Sequence, residues 1–250
     1  MNETLTTLIE ELHHPDKSVR GQAAIKLGTW SDSESLQMLL QALARETDLY
    51  VREDLTWSLV RRSEAAIMPL IQLLSDPNPA IRHHAAHVLG KIGDPRAVDP
   101  LITVLGDQDQ DTAVITKAAF ALGQIGDTRA IPALMNLLGH SEREVQTTIV
   151  NVTETFGVDA VAPLLNVLQH ERWQVREQAA DILGLVGDQA ITPALIVALE
   201  DEHWKVRFAI VAALGSIGGS TAKAALQKMQ TDSDARVREL AQKCSGRVKA

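Results

Sequence analysis

The sequence predicts an all-α, right-handed superhelical solenoid of about seven stacked helix pairs, with a cap at each end. Three observations lead to this prediction: a phrase of residues that recurs at an even spacing, a helical spacing of apolar residues within each recurrence, and a scarcity of aromatic residues. The 250 residues include only four Trp, one Tyr and three Phe. The interior must therefore be built from Ala, Leu, Val and Ile, whose small volumes suit closely packed helices.

The recurring phrase begins with a β-branched residue, which is usually followed by Arg, small residues, Leu-Gly, a turn and an apolar segment. Its eight starting positions lie 30 to 33 residues apart: Val19, Val51, Ile81, Val114, Val145, Val175, Val206 and Val237. A fixed period of this length is typical of solenoids, in which one repeat cannot bury its apolar face alone and must stack on its neighbours. We therefore predict a single solenoid domain over residues 1–250.

Each repeat is predicted to contain two helices, and the third repeat shows why. Apolar residues from Ile81 to Ile92 follow the spacing of one stripe of an α-helix. Gly93 stands where a left-handed cap ends such a helix, and Pro95 prevents its continuation. The apolar residues of a second helix follow over positions 97–105. We call the two members of each pair the first and the second helix.

The two ends of the chain are predicted to be caps. Residues 1–14 predict one N-terminal capping helix, and residues 223–250 predict a basic C-terminal cap, because they hold seven basic and three acidic residues. Terminal repeats need a polar outer surface to keep a solenoid soluble. A site for an anionic partner is the alternative interpretation of the basic cap.

Composition and charge exclude several classes of protein. The net charge of −8 disfavours nucleic-acid binding. The single cysteine, Cys244, excludes an internal disulfide framework and a four-cysteine zinc site. No apolar run approaches the roughly 18 residues of a membrane span, and the N-terminus does not have the pattern of a signal peptide. We therefore expect a cytoplasmic monomer with no cofactor and no membrane or nucleic-acid partner.

The repeat also carries a family resemblance. Its combination of Val-Arg, paired Ala, Leu-Gly, Ile-Gly-Asp and Ala-x-x-Pro-Leu resembles the HEAT-like repeat of the phycobilisome-lyase type, over essentially the whole chain. That family includes bilin lyases, phycobilisome degradation factors, a metal-dependent hydroxylase, distant DNA glycosylases and plain scaffolds. The resemblance implies the solenoid fold. It also implies an alternative to a non-catalytic scaffold, namely a bilin lyase or isomerase subunit that acts on a chromophore-binding protein.

An arginine column is the most regular polar feature. Arg follows the β-branched residue in six repeats, at Arg20, Arg52, Arg82, Arg176, Arg207 and Arg238. An acidic residue shortly precedes five of them, at Asp16, Asp48, Asp76, Asp201 and Asp234. We predict a structural ladder of Arg–carboxylate pairs between successive repeats, which accounts for both columns, because charged groups at a seam need partners.

The arginine column is interrupted in the middle of the chain. Repeats four and five carry Ile115 and Gln146 in place of Arg, and repeat five has Thr153-Glu154 in place of Leu-Gly. The joint between these repeats is therefore predicted to be the weakest. The preceding acidic loop, residues 106–111, lacks the Gly and Glu that a calcium loop requires, and is predicted to cap the next helix.

Three histidines lie close together on one predicted helix. His83 and His87 are four residues apart and could share a metal ion. His84 lies between them, and only Glu53 of the preceding repeat is a nearby candidate for a further ligand. We therefore predict no metal site and no catalytic residue, and the role of the cluster stays open.

The sequence predicts a non-catalytic scaffold that binds a partner protein or peptide on its concave face, with a second surface row as a further contact. The first-helix row, opposite the buried stripe, consists of Trp57, His87 and Phe120 on successive repeats. Exposed rings are unusual where aromatic residues are scarce, although rings that cover the joint between repeats are an equal alternative. The second-helix row is polar, uncharged and predicted to line the concave face: Gln41, Gln72, Thr103, Asn136 and Asn166. Such groups suit hydrogen bonding to a polypeptide better than binding of phosphates or bilin propionates.

Two further aromatic residues share a repeat position. Trp173 and Trp204 each stand two residues before the β-branched residue of their repeat. A ring at this position would lie over the joint between neighbouring repeats. We therefore predict that both pack against the next repeat.

Overall fold

The computed structural model describes residues 4–107 and 110–247, and these residues contain helices and no β-strand. The predicted all-α solenoid is confirmed. The chain divides into two compact units, Met1–Asp127 (unit 1) and Thr128–Ala250 (unit 2). No helix within the described ranges is both long enough and apolar enough to span a bilayer.

Unit 1 is a two-layered stack that begins with a capping helix and ends with a first helix. Its helices are α1 (Leu5–Glu11), α2 (Lys17–Leu27), α3 (Ser33–Arg45), α4 (Leu49–Arg61), α5 (Ser63–Leu73), α6 (Pro79–Ile92), α7 (Val98–Gly106) and α8 (Thr112–Ile125). The first helices α2, α4, α6 and α8 pack side by side. Each of α1, α3, α5 and α7 packs against the first helix that follows it.

Unit 2 has the same arrangement. Its helices are α9 (Ile131–Met135), α10 (Arg143–Glu154), α11 (Val161–Val167), α12 (Trp173–Val186), α13 (Thr192–Ala198), α14 (Trp204–Ile217), α15 (Gly219–Met229) and α16 (Ala235–Arg247). The first helices α10, α12, α14 and α16 form one layer, and α9, α11, α13 and α15 each pack on the first helix that follows. The predicted C-terminal cap thus consists of the end of α15 and of α16, up to residue 247.

The helices begin and end as the sequence predicts. Asp16 and Asp48 are N-caps, whose carboxylates accept backbone N–H groups of α2 and α4. Asp111 caps α8 in the same way, as predicted for its loop, although residues 108 and 109 of that loop lie outside the described residues. Gly93 ends α6 with a φ of 74°, a conformation that a side chain would disfavour.

The core is aliphatic, as predicted, and Phe156 is the one aromatic side chain buried in it among the described residues. The Leu-Gly element has a packing role, because a Cβ on Gly184 would lie 2.8 Å from the Cα of Ala213 in the next first helix. Gly90 meets Ala121 in the same way in unit 1. The glycine therefore lets successive first helices pack in close contact.

Candidate functional site

The first-helix row lies on α4, α6 and α8 of unit 1. Trp57 is 50% exposed and Phe120 is 44% exposed, while His87 between them is half-buried. Trp57 Nε1 donates a hydrogen bond to Glu53 Oε1 (2.8 Å), and the Lys91 ammonium lies 5.8 Å from the centre of its ring. The rings therefore present about half of their surface to solvent while one of them is held in place by polar contacts.

A small cavity of about 160 Å³ lies beside this row. Its apolar wall comes from Leu43 and Leu49, at the end of α3 and the start of α4. The polar residues that line it come from α4, α6 and α8: Arg52, Glu53, Thr56, His83, His84, His87 and Lys117. The histidine cluster, whose role the sequence left open, therefore lines a cavity together with two cationic side chains and one carboxylate.

The cavity holds its histidines in the neutral form. Burial lowers the pKa of His83 and of His84 to about 4, and the nearby charges of Arg52 and Lys117 act in the same direction. Burial also lowers the pKa of His87, whose Nε2 lies 3.9 Å from Glu53 Oε2. At neutral pH these rings are therefore uncharged, and each can donate one hydrogen bond and accept one.

Lys117 is the basic residue that sequence reasoning missed. It lies half-buried on α8, and burial lowers the pKa of its ammonium group. Within the described ranges it makes no ion pair with a carboxylate. Lys117 stands in repeat four at the position that His84 has in repeat three. Aligning the repeats would therefore have predicted that the two side chains are neighbours.

The arginine ladder joins successive repeats, as predicted, but of the acidic residues that the sequence offered only Asp201 supplies a carboxylate to it within the described residues, and Glu46 and Asp232 are the other carboxylate acceptors. Arg176 donates two hydrogen bonds to Asp201 (2.6 and 3.0 Å), which lies 25 residues later, and Arg207 binds Asp232 in the same way. Arg20 likewise binds Glu46. The Nη1 group of each of these three arginines donates to the backbone carbonyl six residues earlier, as from Arg176 to His170 (2.7 Å).

This geometry explains why the acidic residues near each Arg do not bind it. Asp16, Asp48 and Asp234 are occupied in accepting backbone N–H groups at the starts of their helices. Asp76 and Asp201 contribute their backbone carbonyl oxygens to the Arg that follows them. The ladder therefore ties together two consecutive inter-repeat loops.

The interruption of the ladder is partly filled. Arg82 donates from Nε to the amide oxygen of Gln110 (2.8 Å), a neutral acceptor in place of a carboxylate. Gln146 keeps the backbone contact of the missing Arg, because its Nε2 donates to the carbonyl of His140 (2.5 Å). In the same repeat, the Thr153 hydroxyl oxygen is the one buried side-chain polar atom of the described residues without a hydrogen-bond partner.

Arg52 departs from the rest of its column. Its Nη1 donates to His84 Nε2 (3.1 Å), and no hydrogen bond joins it to Asp76 or to the carbonyl six residues before it. Asp76 stands at the position corresponding to Asp201 and Asp232, and in the described part of the chain its carboxylate accepts only the backbone N–H of Asn78. The side chain of Arg52 therefore turns from the seam towards the histidine cavity.

The second-helix row is exposed for the most part, as its position opposite the apolar stripe predicts. Gln72 and Thr103 are exposed in unit 1, and Asn136 and Asn166 are exposed in unit 2. Gln41 is half-buried and accepts a hydrogen bond from Arg45. Thr103 lines an open groove of about 890 Å³ beside α5 and α7, while its hydroxyl donates to the carbonyl of Asp99.

The two tryptophans of unit 2 pack over the joints between repeats, as predicted. The ring of Trp173 stacks on His203 of the next repeat at 4.0 Å, with Lys205 above it at 4.6 Å. Trp204 in turn lies under the guanidinium of Arg236, at 3.3 Å. These rings are covered by neighbouring side chains and differ in this respect from Trp57.

The described residues contain no group of three or more His, Cys, Asp or Glu side chains with the arrangement of a metal site. Cys244 is half-buried on α16, and burial raises the pKa of its thiol. The thiol packs against Gly215 of α14, where a Cβ would lie 2.7 Å from its sulfur. This contact gives the cysteine a packing role.

Comparison with known proteins supports the repeat assignment. The chain matches the family model for HEAT repeats over residues 5–66, 60–114, 107–165 and 161–244. No curated protein matches it.

Solved structures extend the comparison to the fold. A chain of the Kap95p–RanGDP complex is 13% identical with a TM-score of 0.64, and the match covers 96% of this chain and 39% of that one. The phycocyanin lyase complex of CpcE and CpcF from Nostoc is 23% identical, with a TM-score of 0.44 and coverage of 98% and 95%. Human deoxyhypusine hydroxylase is 22% identical, with a TM-score of 0.40 and coverage of 97% and 94%.

Proposed function

The chain belongs to the HEAT-repeat family, and we propose that it is a non-catalytic protein-binding module whose partner, a protein or peptide, docks on the first-helix row of unit 1. Stacked repeats create extended surfaces of the kind that bind other polypeptides. The proposal is that Trp57 and Phe120 supply the apolar contacts of this surface, with His87 between them.

The observation that carries the proposal is the half-exposure of two large rings at one repeat position. Trp57 and Phe120 are 50% and 44% exposed in a chain that has only eight aromatic residues in total. Tryptophan is enriched among the residues that dominate binding energy at protein interfaces. The hydrogen bond from Trp57 to Glu53 restrains the ring before binding, which lowers the entropy lost on association.

Site-specific photo-crosslinking tests the proposal and identifies the partner at the same time. The protein would carry p-benzoylphenylalanine in place of Phe120, and would be irradiated in native lysate before mass spectrometry. A matched variant would carry the same group in place of Phe208, an exposed aromatic residue on α14 of unit 2. A third variant would carry it at Gln72 of the second-helix row.

We expect one partner to be crosslinked at position 120 and not at position 208. Crosslinking of the same proteins at both positions would indicate non-specific contact and would contradict the proposal. Crosslinking at position 72 alone would move the docking surface to the second-helix row.

A further inference from the structure

We propose that the histidine cavity of unit 1 is a binding site for a tetrahedral oxyanion, such as a phosphate group. The cavity brings together Arg52 of α4, His83, His84 and His87 of α6, and Lys117 of α8. Five nitrogen-bearing side chains thus converge from three helices on one small space. The inference concerns a free anion and does not depend on the proposed partner protein.

The position of Arg52 is the strongest structural argument. Its column-mates Arg176 and Arg207 each hold a carboxylate and a backbone carbonyl at a repeat seam. Arg52 has Asp76 at the corresponding position, and among the described residues the Asp76 carboxylate accepts no hydrogen bond from an Arg. Its guanidinium is held instead by His84 Nε2, a neutral acceptor, at the wall of the cavity. Within the described residues, none of its N–H donors has a carboxylate partner.

The balance of charge in the cavity also favours an anion. Arg52 and Lys117 are cations, and Glu53 is the one carboxylate that lines the cavity. Glu53 is half-exposed at the rim, where one of its oxygens accepts from Trp57. Asp111, at the start of α8, and Lys91, on α6, act on the histidines from outside the lining. Half-buried Lys117 has no ion-pair partner among the described residues, so a bound anion would supply one.

The volume of the cavity limits the size of the ligand. At about 160 Å³, the cavity is smaller than the sites that hold drug-sized ligands. Drug-sized ligands and cofactors occupy cavities of about 300–1,000 Å³. An ion of five heavy atoms fits, and Arg, Lys and imidazole groups together provide donors for several of its oxygens.

The test is a titration of the full-length protein with sulfate and inorganic phosphate, followed through the imidazole ¹⁵N resonances of the histidines. Saturable shifts at His83, His84 and His87 are expected. Removal of one charge-assisted contact, in Arg52→Gln or Lys117→Gln, should weaken binding about tenfold or more. Lys243→Gln removes the same charge from exposed α16 and should change the affinity less than about twofold.

The remaining outcomes overturn the proposal. No saturable shift, or equal binding by wild-type protein and both cavity variants, would show that the cavity is not an anion site. Acetate that binds as tightly as sulfate would contradict the assignment to a tetrahedral ion. If Arg52→Gln does not fold, Lys117→Gln still decides, because Lys117 makes no hydrogen bond or ion pair within the described ranges.

The pH dependence of sulfate affinity distinguishes this site from an exposed basic patch. Sulfate keeps its double charge over the range used, so any pH dependence comes from the protein. A bound dianion favours protonated imidazoles, so binding takes up protons and the affinity should rise as the pH falls from about 7.5 to about 5.5. An affinity that is constant over this range would contradict the participation of the histidines.

Discussion

At the scale of single residues, the arginine column shows one residue type in two environments. Arg176 is held at a seam by Asp201 and by the carbonyl of His170, so its guanidinium is saturated with acceptors. Arg52 stands at the same repeat position and has His84 as its acceptor. The hydrogen-bond acceptors near each arginine therefore determine its role. Arg176 stabilises a joint between repeats, and Arg52 lines the histidine cavity.

The first prediction compares these two arginines. Arg176→Gln removes a bidentate pair whose side chains are both about one-tenth exposed, and leaves Asp201 without its cation. The free energy of unfolding should fall by about 1–3 kcal/mol. Arg52→Gln should cost less than about 1 kcal/mol, because Arg52 contacts no carboxylate among the residues that the structure describes. Urea unfolding of the two variants measures the difference, and equal losses would contradict the distinction.

The second prediction concerns acid. The pKa of His83 and of His84 is about 4 in the folded protein against 6.5 in the unfolded chain. Between these values the unfolded chain binds protons that the folded protein does not, so the free energy of unfolding falls as the pH falls. Unfolding titrations at about pH 6.5 and 5.5 should show this loss in wild-type protein and a smaller one in His83→Gln/His84→Gln. An identical slope would show that these histidines do not contribute.

The positions of the ring side chains at this site could be predicted from the sequence, but the directions of the long side chains could not. The positions of His83, His87 and Trp57 follow from helical spacing, which the sequence displays directly. The direction of Arg52 does not follow, because a long side chain selects among acceptors that loops bring together only in the folded protein. The ladder partners, such as Asp232 for Arg207, were missed for the same reason, although each lies at a regular distance along the chain.

At the scale of elements, repeat five differs from the others within unit 2. Glu154 replaces the glycine that elsewhere lets first helices approach, and Thr153 replaces the buried leucine. Gln146 provides one backbone contact in place of the arginine pair. Helix α10 therefore lacks the close glycine contact and the Arg–carboxylate pair that join α12 to α14.

The third prediction uses the unpaired hydroxyl of Thr153. Thr153→Val keeps the shape of the side chain and removes a fully buried oxygen that has no hydrogen-bond partner within the described ranges. The free energy of unfolding should rise by about 1 kcal/mol. In the matched variant Thr116→Val, the hydroxyl that is lost donates to the carbonyl of Ala113, so no gain is expected. Thermal or urea unfolding measures both, and a loss of stability in Thr153→Val would contradict the account of this repeat.

The fourth prediction concerns local opening. Amide exchange should be fastest, among internal helices, around residues 107–118 and 145–157, because single contacts to or from Gln110 and Gln146 replace there the Arg–carboxylate pairs found at other joints. Hydrogen exchange with mass spectrometry resolves segments of this size. Protection equal to that of residues 175–186 would contradict the prediction.

At the scale of the whole molecule, the sequence is most informative about its period. A regular spacing, small residues and few rings predict stacked helix pairs, and the structure confirms that architecture in both units. The binding surface is harder to predict, because many exposed positions of a solenoid satisfy the same periodicity. Trp57 and Phe120 are about half exposed in the structure, and crosslinking decides between contact with a partner and coverage of the joint between repeats.

The most direct test of the central claim is the affinity of the purified partner, once crosslinking has identified it, for variants of the two rows. Trp57→Ala or Phe120→Ala should weaken binding about ten- to thirtyfold, since interface aromatic residues contribute about 1.4–2 kcal/mol or more. Leu185→Ala, which removes an exposed apolar side chain of unit 2, is the control and should leave the affinity unchanged. The double variant Asn136→Arg/Asn166→Arg should retain binding. Full binding by Trp57→Ala and Phe120→Ala together with its loss in the double arginine variant would contradict the account and place the partner on the second-helix row.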